Sequence, residues 1–362
     1  MRLFLILLSI ASCAPAGAAT LETSVGEVRV EKVMDRLDAP WAIGFLPDGS
    51  VLVTEQDGRL LRRSSDGTSV EIAHNLPIDV VGQGGLLDVL VPRDFESSKE
   101  IFLSFATPQG NGGSGTALAV ARLQSNRLVD AKVIFELAPG SGGGRHFGSR
   151  IVEAKDGTLF LTIGDRGVGP TAQDLSRENG SIVRISRDGS VPTDNPFFGL
   201  AGAQPAIWSF GHRNPQGATL DLNGDLWAVE HGAKGGDEVN RIQRGANYGW
   251  PVISYGTHYS GAKIGEGTRK VGMEQPQHYW DPSIAPSGMM IYSGKMWPDW
   301  RGDVFVGSLK FDYISRLSGV KLKEVEQIAG PQTGRVRDIR EAPDGSIWFL
   351  SVHDGALYRI SR

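Results

Sequence analysis

The residue best suited to proton transfer is His146, which follows a run of three glycines at positions 142–144. An imidazole titrates near neutral pH, so His146 is a candidate general acid or base. Consecutive glycines allow the backbone to approach a ligand closely. A phosphate cradle is the rival interpretation, but the Gly-Lys-Ser/Thr ending of a P-loop is missing. Taken alone, His146 is also consistent with a structural histidine whose hydrogen bonds are satisfied.

Five further polar residues are suited to binding an anion. Arg213 and Asn214 precede a proline and present a planar cation and an amide to one point. A surface salt bridge is the alternative for this pair. Lys310, Arg335 and Arg337 add three cations, and the spacing of the two arginines places them on one side of a strand. In a chain with a formal charge of −4, this cluster indicates a ligand with several carboxylates.

Glycines and acidic residues are concentrated at positions 230–240, and a second polar stretch follows at 245–251. Carboxylate and carbonyl oxygens are the ligands that calcium prefers. The stretch matches neither an EF-hand loop nor the H-E-x-x-H pattern of zinc proteases. It therefore indicates an all-oxygen cation site, with a solvated acidic loop as the alternative. Gln83, in the glycine-rich stretch 82–85, is a weaker candidate, because an exposed glutamine in a glycine turn is the favoured interpretation of this stretch taken alone.

A phrase of tight turn and β-strand recurs six times, at markers 48, 94, 156, 223, 299 and 344. The Asp-Gly and Asn-Gly pairs in it are typical of turns between antiparallel strands, and 48 of the 362 residues are glycine. The repeats predict an all-β protein, a six-bladed β-propeller with a central channel. A β-sandwich or solenoid is the alternative. The stretch 25–30 has no strand upstream to pair with, so we expect it to close the ring by joining the last blade.

The N-terminus resembles an export signal, with one early basic residue, a short apolar run and small residues up to Ala19. We expect residues 1–19 to be a signal peptide and residues 20–362 to form one periplasmic domain. Cleavage after Ala18 or before Cys13 is consistent with the pattern, and the second site would leave a lipid anchor on Cys13. No apolar run is long enough to span a bilayer. The net charge disfavours a nucleic-acid-binding function.

From about residue 25 to the end, the sequence resembles the soluble PQQ-dependent aldose sugar dehydrogenases of the glucose/sorbosone dehydrogenase family. The motifs that carry the resemblance are Gly82-Gln83, Gly144-Arg145-His146, residues 211–217, Asp237-Glu238 with residues 247–251, Leu309-Lys310, and residues 335–338. The resemblance implies a six-bladed propeller with pyrroloquinoline quinone (PQQ) over the mouth of the channel and with bound Ca²⁺.

The resemblance also implies a role for each matched residue. His146 corresponds to the general base, and Arg213 to a residue that stabilises charge on the quinone together with calcium. The positions that contact the cofactor are Gln83, Arg213, Asn214, Lys310, Arg335 and Arg337. Gly232 and Ala233 correspond to residues whose carbonyls bind the calcium beside the cofactor. Glu238 and the carbonyl of Tyr248 correspond to ligands of a second, structural calcium.

The function implied is oxidation of aldose sugars at C1 to lactones, with a proton passing to His146, a hydride to the quinone and electrons to an external acceptor. Ala233 stands where the family often has proline, which changes only the rigidity of that loop. Arg145 replaces the acidic residue of the glucose-specific branch, so broad specificity is expected. A calcium-dependent sugar-lactone hydrolase on a six-bladed propeller is the alternative function, and an inactive binding module is another.

Overall fold

The computed structural model describes residues 19–110 and 112–362. The expected signal peptide, apart from Ala19, lies outside these residues, and so does Cys13. The chain forms almost only β-strands, with one short helix, α1 (Phe95–Ser98), and 3₁₀ turns at Gly169–Gln173, Pro298–Trp300 and Pro331–Thr333. Within the described part of the chain, no helix has the length and apolar character needed to cross a membrane.

The strands form six antiparallel sheets. The chain starts with β1 (Ala19–Thr23) and β2 (Gly26–Met34). Blade 1 contains β3 (Pro40–Phe45), β4 (Val51–Glu55), β5 (Leu60–Arg63) and β6 (Ser69–Glu71), and blade 2 contains β7 (Leu86–Leu90), β8 (Glu100–Pro108), β9 (Ser114–Gln124) and β10 (Arg127–Glu136). Blade 3 contains β11 (Ile151–Glu153), β12 (Leu159–Ile163), β13 (Ser181–Ile185) and β14 (Ile207–Phe210). Blade 4 contains β15 (Pro215–Leu220), β16 (Leu226–Glu230), β17 (Asp237–Arg241) and β18 (His278–Trp280). Blade 5 contains β19 (Pro286–Ile291), β20 (Val304–Ser308), β21 (Tyr313–Ser318) and β22 (Lys323–Ala329), and blade 6 contains β23 (Val336–Glu341), β24 (Ile347–Ser351) and β25 (Ala356–Ser361).

The first strands of successive blades contact one another, and β23 contacts β3, so the six sheets close into a ring. The predicted six-bladed β-propeller is therefore confirmed. Strand β2 pairs with β25, which confirms that the N-terminal stretch completes blade 6. The expectation that nothing upstream could pair with this stretch is wrong. Strand β1 forms a hairpin with β2 because Gly26, at φ +96°, allows a tight turn, and blade 6 therefore has five strands.

Each of the six repeated phrases forms the connection between the first and second strands of a blade. In the tightest copies an aspartate carboxylate accepts a hydrogen bond from the backbone N–H two residues later, as Asp48 does from Ser50 at 2.9 Å. Asp156 and Asp344 form the equivalent bonds at 3.0 and 2.9 Å. Gly49 in the first copy has φ +82°, a conformation that glycine adopts at little cost. The repeat therefore encodes the turn, and the apolar residues after it encode the buried second strand.

An ionic network fills the channel between the first strands. Arg150 donates to Asp88 at 2.9 Å and lies 3.2 Å from a carboxylate oxygen of Asp338. Arg340 contacts the same two carboxylates at 2.9 and 3.1 Å. The four side chains come from blades 2 and 6 and from the residue that precedes β11 in blade 3. Because every charge has a partner of opposite sign, burial of the network is tolerated and the three blades are linked at the axis.

We expect Val30→Asp to open the ring. Val30 is buried in the apolar cluster between β2 and blade 6, so the carboxylate would have no partner. The free energy of unfolding should fall by about 3–5 kcal/mol, the scale of an unpaired buried charge. The control Arg29→Asp places the same charge on the exposed side of the same strand and should change it by less than about 0.5 kcal/mol. Chemical denaturation measures both variants, and equal losses would contradict this role for β2.

Candidate active site

The connections on one face of the ring carry most of the residues singled out from the sequence. Because the strands in each blade alternate in direction, the connections from the fourth strand to the next blade share a face with those between the second and third strands. The repeated turns lie on the opposite face. The connections between blades carry Gln83, His146, Arg213, Asn214 and Arg335. The connections between second and third strands carry Gly232, Ala233 and Lys310. Arg337 lies in β23, Glu238 in β17, and Tyr248 between β17 and β18.

A cavity of about 310 Å³ opens on this face above the channel. Four of the expected cofactor-contacting residues line it: Gln83, Asn214, Arg335 and Arg337. His146 lies beside it, because the next two residues in the chain, Phe147 and Gly148, are part of the wall. Lys310 and Arg213 do not line this cavity, although their neighbours Leu309 and Asn214 do. The structure thus brings together residues separated by more than 250 positions in the sequence.

The imidazole of His146 is held by a carboxylate that the sequence reading missed. Nδ1 of His146 donates to Oδ1 of Asp165 at 2.6 Å, and only 12% of the histidine side chain is exposed. Asp165 follows β12 and is itself fixed by the indole N–H of Trp250 at 2.7 Å and the backbone N–H of Gly167 at 2.7 Å. Nε2 of His146 bonds to no other described residue. A neutral imidazole in this tautomer offers the Nε2 lone pair to a substrate proton.

The backbone around His146 is also tightly constrained. His146 has φ +54°, and its N–H donates to the side-chain oxygen of Gln83 at 2.8 Å. In return, the backbone N–H of Gln83 donates to the carbonyl of Gly144 at 2.8 Å. A Cβ on Gly164 would lie 2.0 Å from the carbonyl oxygen of His146, so only glycine fits there. Three connections, from blades 1, 2 and 3, therefore interlock at His146.

Arg337 and Arg335 supply positive charge to the cavity. Arg337 stacks on Trp41 at 4.5 Å and forms no ion pair within the described residues. Burial and the nearby Arg150 lower the pKa of Arg337 to about 9, which still leaves it protonated at neutral pH. Arg335 precedes the first residue of β23, and its backbone lies in the left-handed region at φ +51°. The expectation that Arg335 and Arg337 lie on one side of the same strand is therefore wrong. Its guanidinium donates to the carbonyl of Leu309 at 3.0 Å and still reaches the cavity.

The remaining expected contacts differ in their accessibility. Lys310 is exposed, with its ammonium 4.7 Å from the ring centroid of Phe311. Asn214 is buried, and its side-chain oxygen accepts from the backbone N–H of Gly148 at 3.2 Å. Arg213 is buried beside Trp250, and its backbone N–H donates to Glu230 at 2.7 Å. Asn214 therefore forms part of the cavity wall, while the exposed Lys310 adds positive charge outside the cavity.

A second, smaller cavity of about 20 Å³ is lined by Gly232, Glu238 and Tyr248, and also by Arg213 and Glu230. Burial and the neighbouring Glu230 carboxylate raise the pKa of Glu238 to about 8, because the two acids repel each other. Among the described residues, the carbonyls of Gly232 and Tyr248 accept no hydrogen bond. Oxygen atoms without donors beside a buried carboxylate fit a hard cation.

Ala233 is buried in the same loop, next to Gly232. A Cβ on Gly232 would lie within 2.3–2.4 Å of the carbonyl oxygens of Gly235 and Gly236, so the loop crowds backbone oxygens around this glycine. No group of three or more His, Cys, Asp or Glu side chains in the described chain is placed to hold a metal ion. A cation bound by this loop would therefore depend on backbone carbonyls.

The family of this chain follows from comparison with known proteins. The family model described as Glucose / Sorbosone dehydrogenase matches residues 37–359. The chain belongs to this family. Membership confirms the resemblance seen in the sequence and supports an oxidoreductase function.

Individual proteins that are similar to this chain support the same family assignment. The chain is 38% identical over 354 residues to the aldose sugar dehydrogenase YliI of Escherichia coli, covering 95% of each chain. It is 29% identical over 312 residues to quinoprotein glucose dehydrogenase B of Acinetobacter calcoaceticus, covering 78% of this chain and 64% of the other. The crystal structure of the soluble aldose sugar dehydrogenase of E. coli in the apo-form superimposes with a TM-score of 0.89 at 38% identity, covering 92% of this chain and 99% of that one.

The interlock at His146 predicts that Gly164→Ala lowers stability and displaces the histidine. The new methyl group would collide with the carbonyl of His146, and either loop must move to accept it. We expect a lower melting temperature and a marked loss of dehydrogenase activity. Gly142→Ala is the matched control, because a Cβ there meets nothing within 4 Å. Thermal melting and dye-linked assays measure both variants, and identical behaviour would refute the interlock.

Proposed function

We propose that this protein oxidises aldose sugars of broad specificity at C1 to lactones, with PQQ and Ca²⁺, and passes the electrons to an external acceptor. The observation that carries the proposal is the His146–Asp165 pair at 2.6 Å beside a cavity that contains Arg335 and Arg337. A base next to a cationic cavity suits removal of a proton from a sugar hydroxyl near an anionic cofactor. The relatives named as sugar dehydrogenases support the same reaction class.

The proton step belongs to His146. Its Nδ1–H is donated to Asp165, so Nε2 is the atom that would accept the proton of the anomeric hydroxyl. Asp165 would then stabilise the imidazolium through the same short contact, as a buried carboxylate does for a catalytic histidine. Trp250 and Gly167 hold the carboxylate so that it faces the ring rather than solvent. The imidazole is therefore oriented before substrate arrives.

The cavity fits an anionic cofactor. Arg337 forms no ion pair with another described residue, and a partly buried cation without such a partner favours a bound anion. Arg335 and Lys310 would extend the positive surface, and Gln83 and Asn214 offer amides near it. When bound, PQQ supplies the two-electron acceptor that takes the hydride from C1 of the sugar. Arg213 would stabilise negative charge that develops on the cofactor.

We further propose two calcium sites. The carbonyls of Gly232 and Ala233 would hold the ion beside the cofactor, where a Lewis acid polarises an oxygen. Glu238 and the carbonyl of Tyr248 would bind a structural ion in the smaller cavity. A cation there would offset the repulsion between Glu238 and Glu230.

The proposal extends to the location of the protein. We propose that residues 1–19 act as a signal peptide and that residues 20–362 are one catalytic domain in the periplasm. Attachment through a lipid on Cys13 is the alternative form of the same export signal.

Dye-linked oxidation of a panel of aldoses tests the proposed function. The purified protein is assayed with calcium, with and without PQQ, and with a chelator. We expect activity that requires PQQ and falls when calcium is removed. Absence of activity on every sugar, with no quinone retained after desalting, would refute the proposal. Hydrolysis of sugar lactones would then be the reaction to measure.

His146→Gln should lower kcat by about 10²–10⁴-fold, the usual contribution of a positioned base. Binding of PQQ should be unchanged, because the side chain does not line the cavity. His258→Gln, at an exposed position, is the control and should retain full activity. Steady-state kinetics and a PQQ titration separate the two effects. Full turnover in the His146 variant would exclude it as the base.

Arg337→Met should weaken PQQ binding by about 10–100-fold, because a charge-assisted hydrogen bond contributes about 1.5–3 kcal/mol. Methionine keeps an apolar contact with Trp41 and removes the charge. Arg241→Met, whose arginine pairs with Asp225 at 2.6 Å away from the cavity, is the control and should bind PQQ normally. Calorimetric titration of the apo-protein gives both affinities. An unshifted affinity in the Arg337 variant would exclude it from the cofactor site.

A further inference from the structure

Arg166 is a buried cation beside His146 for which the proposed function provides no role. It follows Asp165 in the connection between β12 and β13, and only 1% of its surface is exposed. It forms no ion pair within the described residues, although the charge of Asp165 acts on it through space. Burial of an arginine without a bonded carboxylate is costly, and here it lowers the pKa of the guanidinium to about 10. Such a residue calls for a specific role.

The side chain of Arg166 contacts the loop that carries His146 and the first residue of the neighbouring strand β9. Its Nη1 donates a short hydrogen bond to the carbonyl of Arg145. Its guanidinium stacks on Phe147, with 3.4 Å from the guanidinium carbon to the ring centroid. Its Nη2 donates to the carbonyl and the hydroxyl of Ser114, both at 3.2 Å. Arg166 therefore contacts the residues immediately before and after His146 and links them to the start of β9.

The loop that carries His146 needs these contacts because its own sequence does little to fix its conformation. Residues 142–144 are glycines, and no strand lies between the end of β10 and the start of β11. Consecutive glycines leave the backbone free to adopt many conformations. His146 must nevertheless hold φ +54°, which is strained for a residue with a side chain. Gln83 holds the N–H of His146, whereas Arg166 is the one described residue that donates to the carbonyl of Arg145.

We propose that Arg166 is a positioning residue for His146. Asp165 holds the imidazole, while Arg166 holds the backbone carbonyl before His146 and packs on the aromatic ring after it. Two consecutive residues of one connection therefore fix the side chain of His146 and the loop that carries it. The role in catalysis rests on the proposed function of His146 as a base, whereas the role in holding the His146–Asp165 contact does not. A displacement of about 1 Å in a catalytic group is enough to lower a rate by about 10²-fold.

The test is Arg166→Met, which keeps an apolar chain on Phe147 and removes every donor. Arg184→Met is the matched control. Arg184 is also buried over an aromatic ring, with its guanidinium carbon 5.2 Å from the centroid of Trp208, and it lies in the same blade on the opposite face. Both variants should lose stability. Arg166→Lys, which keeps the charge and one donor for the carbonyl of Arg145, serves as a partial rescue and as the variant to use if Arg166→Met does not fold.

The first readout needs no cofactor and no activity. In apo-protein labelled with ¹⁵N-histidine, the Nδ1–H proton donated to Asp165 should give a strongly downfield signal, assigned by its loss in His146→Gln. We expect the signal to persist in Arg184→Met and Arg166→Lys and to disappear or broaden in Arg166→Met. An unchanged signal in folded Arg166→Met would overturn the proposal, whether or not the protein oxidises sugars.

The second readout is the separation of kcat from KM. In Arg166→Met we expect kcat for aldose oxidation to fall about 10–100-fold, with the KM for the sugar and the PQQ titration nearly unchanged. Arg166→Lys should give an intermediate kcat, and Arg184→Met should match the unmodified protein. Unmodified kcat in both Arg166 variants would contradict the positioning role. A sugar assay that is silent in the unmodified protein would count against the proposed function alone, because the histidine signal would still decide the role of Arg166.

Discussion

The geometry of a closed ring of six antiparallel blades governs the position of the site. Each first strand starts at the same end of the channel, so every connection between blades must emerge there. Six connections of different sequence thus converge on one small area, while the repeated turns that define the blades face the other way. The repeats can remain regular because they carry no chemistry, and the convergent connections are free to vary. The ionic network of Arg150, Asp88, Asp338 and Arg340 fills the axis beneath them.

Backbone strain is concentrated on the same face. Among non-glycine residues with positive φ, Ala39, Ala285 and Arg335 line the cavity, and His146 and Arg166 lie next to it. Strained conformations persist only where surrounding contacts hold them, and they occur preferentially at functional sites. The contacts that hold His146 come from three blades, and each is a hydrogen bond or a close backbone approach rather than apolar packing. This arrangement fixes the direction of one imidazole, while Nε2 bonds to none of the residues that the structure describes.

The fold could be predicted from the sequence because the signal is local. The aspartate in each tight copy of the repeat caps its own turn, as Asp48 does, so one short phrase reports one blade. The site could be predicted only in part. His146, Arg335 and Arg337 stand in recognisable motifs, but Asp165 follows an ordinary buried strand, and its partner Trp250 is 85 positions away. The pairing of β1 was missed because one glycine, Gly26, decides the turn. The signal peptide remains a prediction from composition alone.

A crystal structure of the protein reconstituted with PQQ and calcium would show directly where the cofactor binds. We expect quinone density in the cavity bounded by Arg335, Arg337 and Asn214, and calcium on the carbonyls of Gly232 and Ala233. The His146–Asp165 contact should be unchanged, with Nε2 facing the cofactor. Quinone density elsewhere on the molecule, or an imidazole turned away from the cavity in the loaded protein, would contradict this expectation.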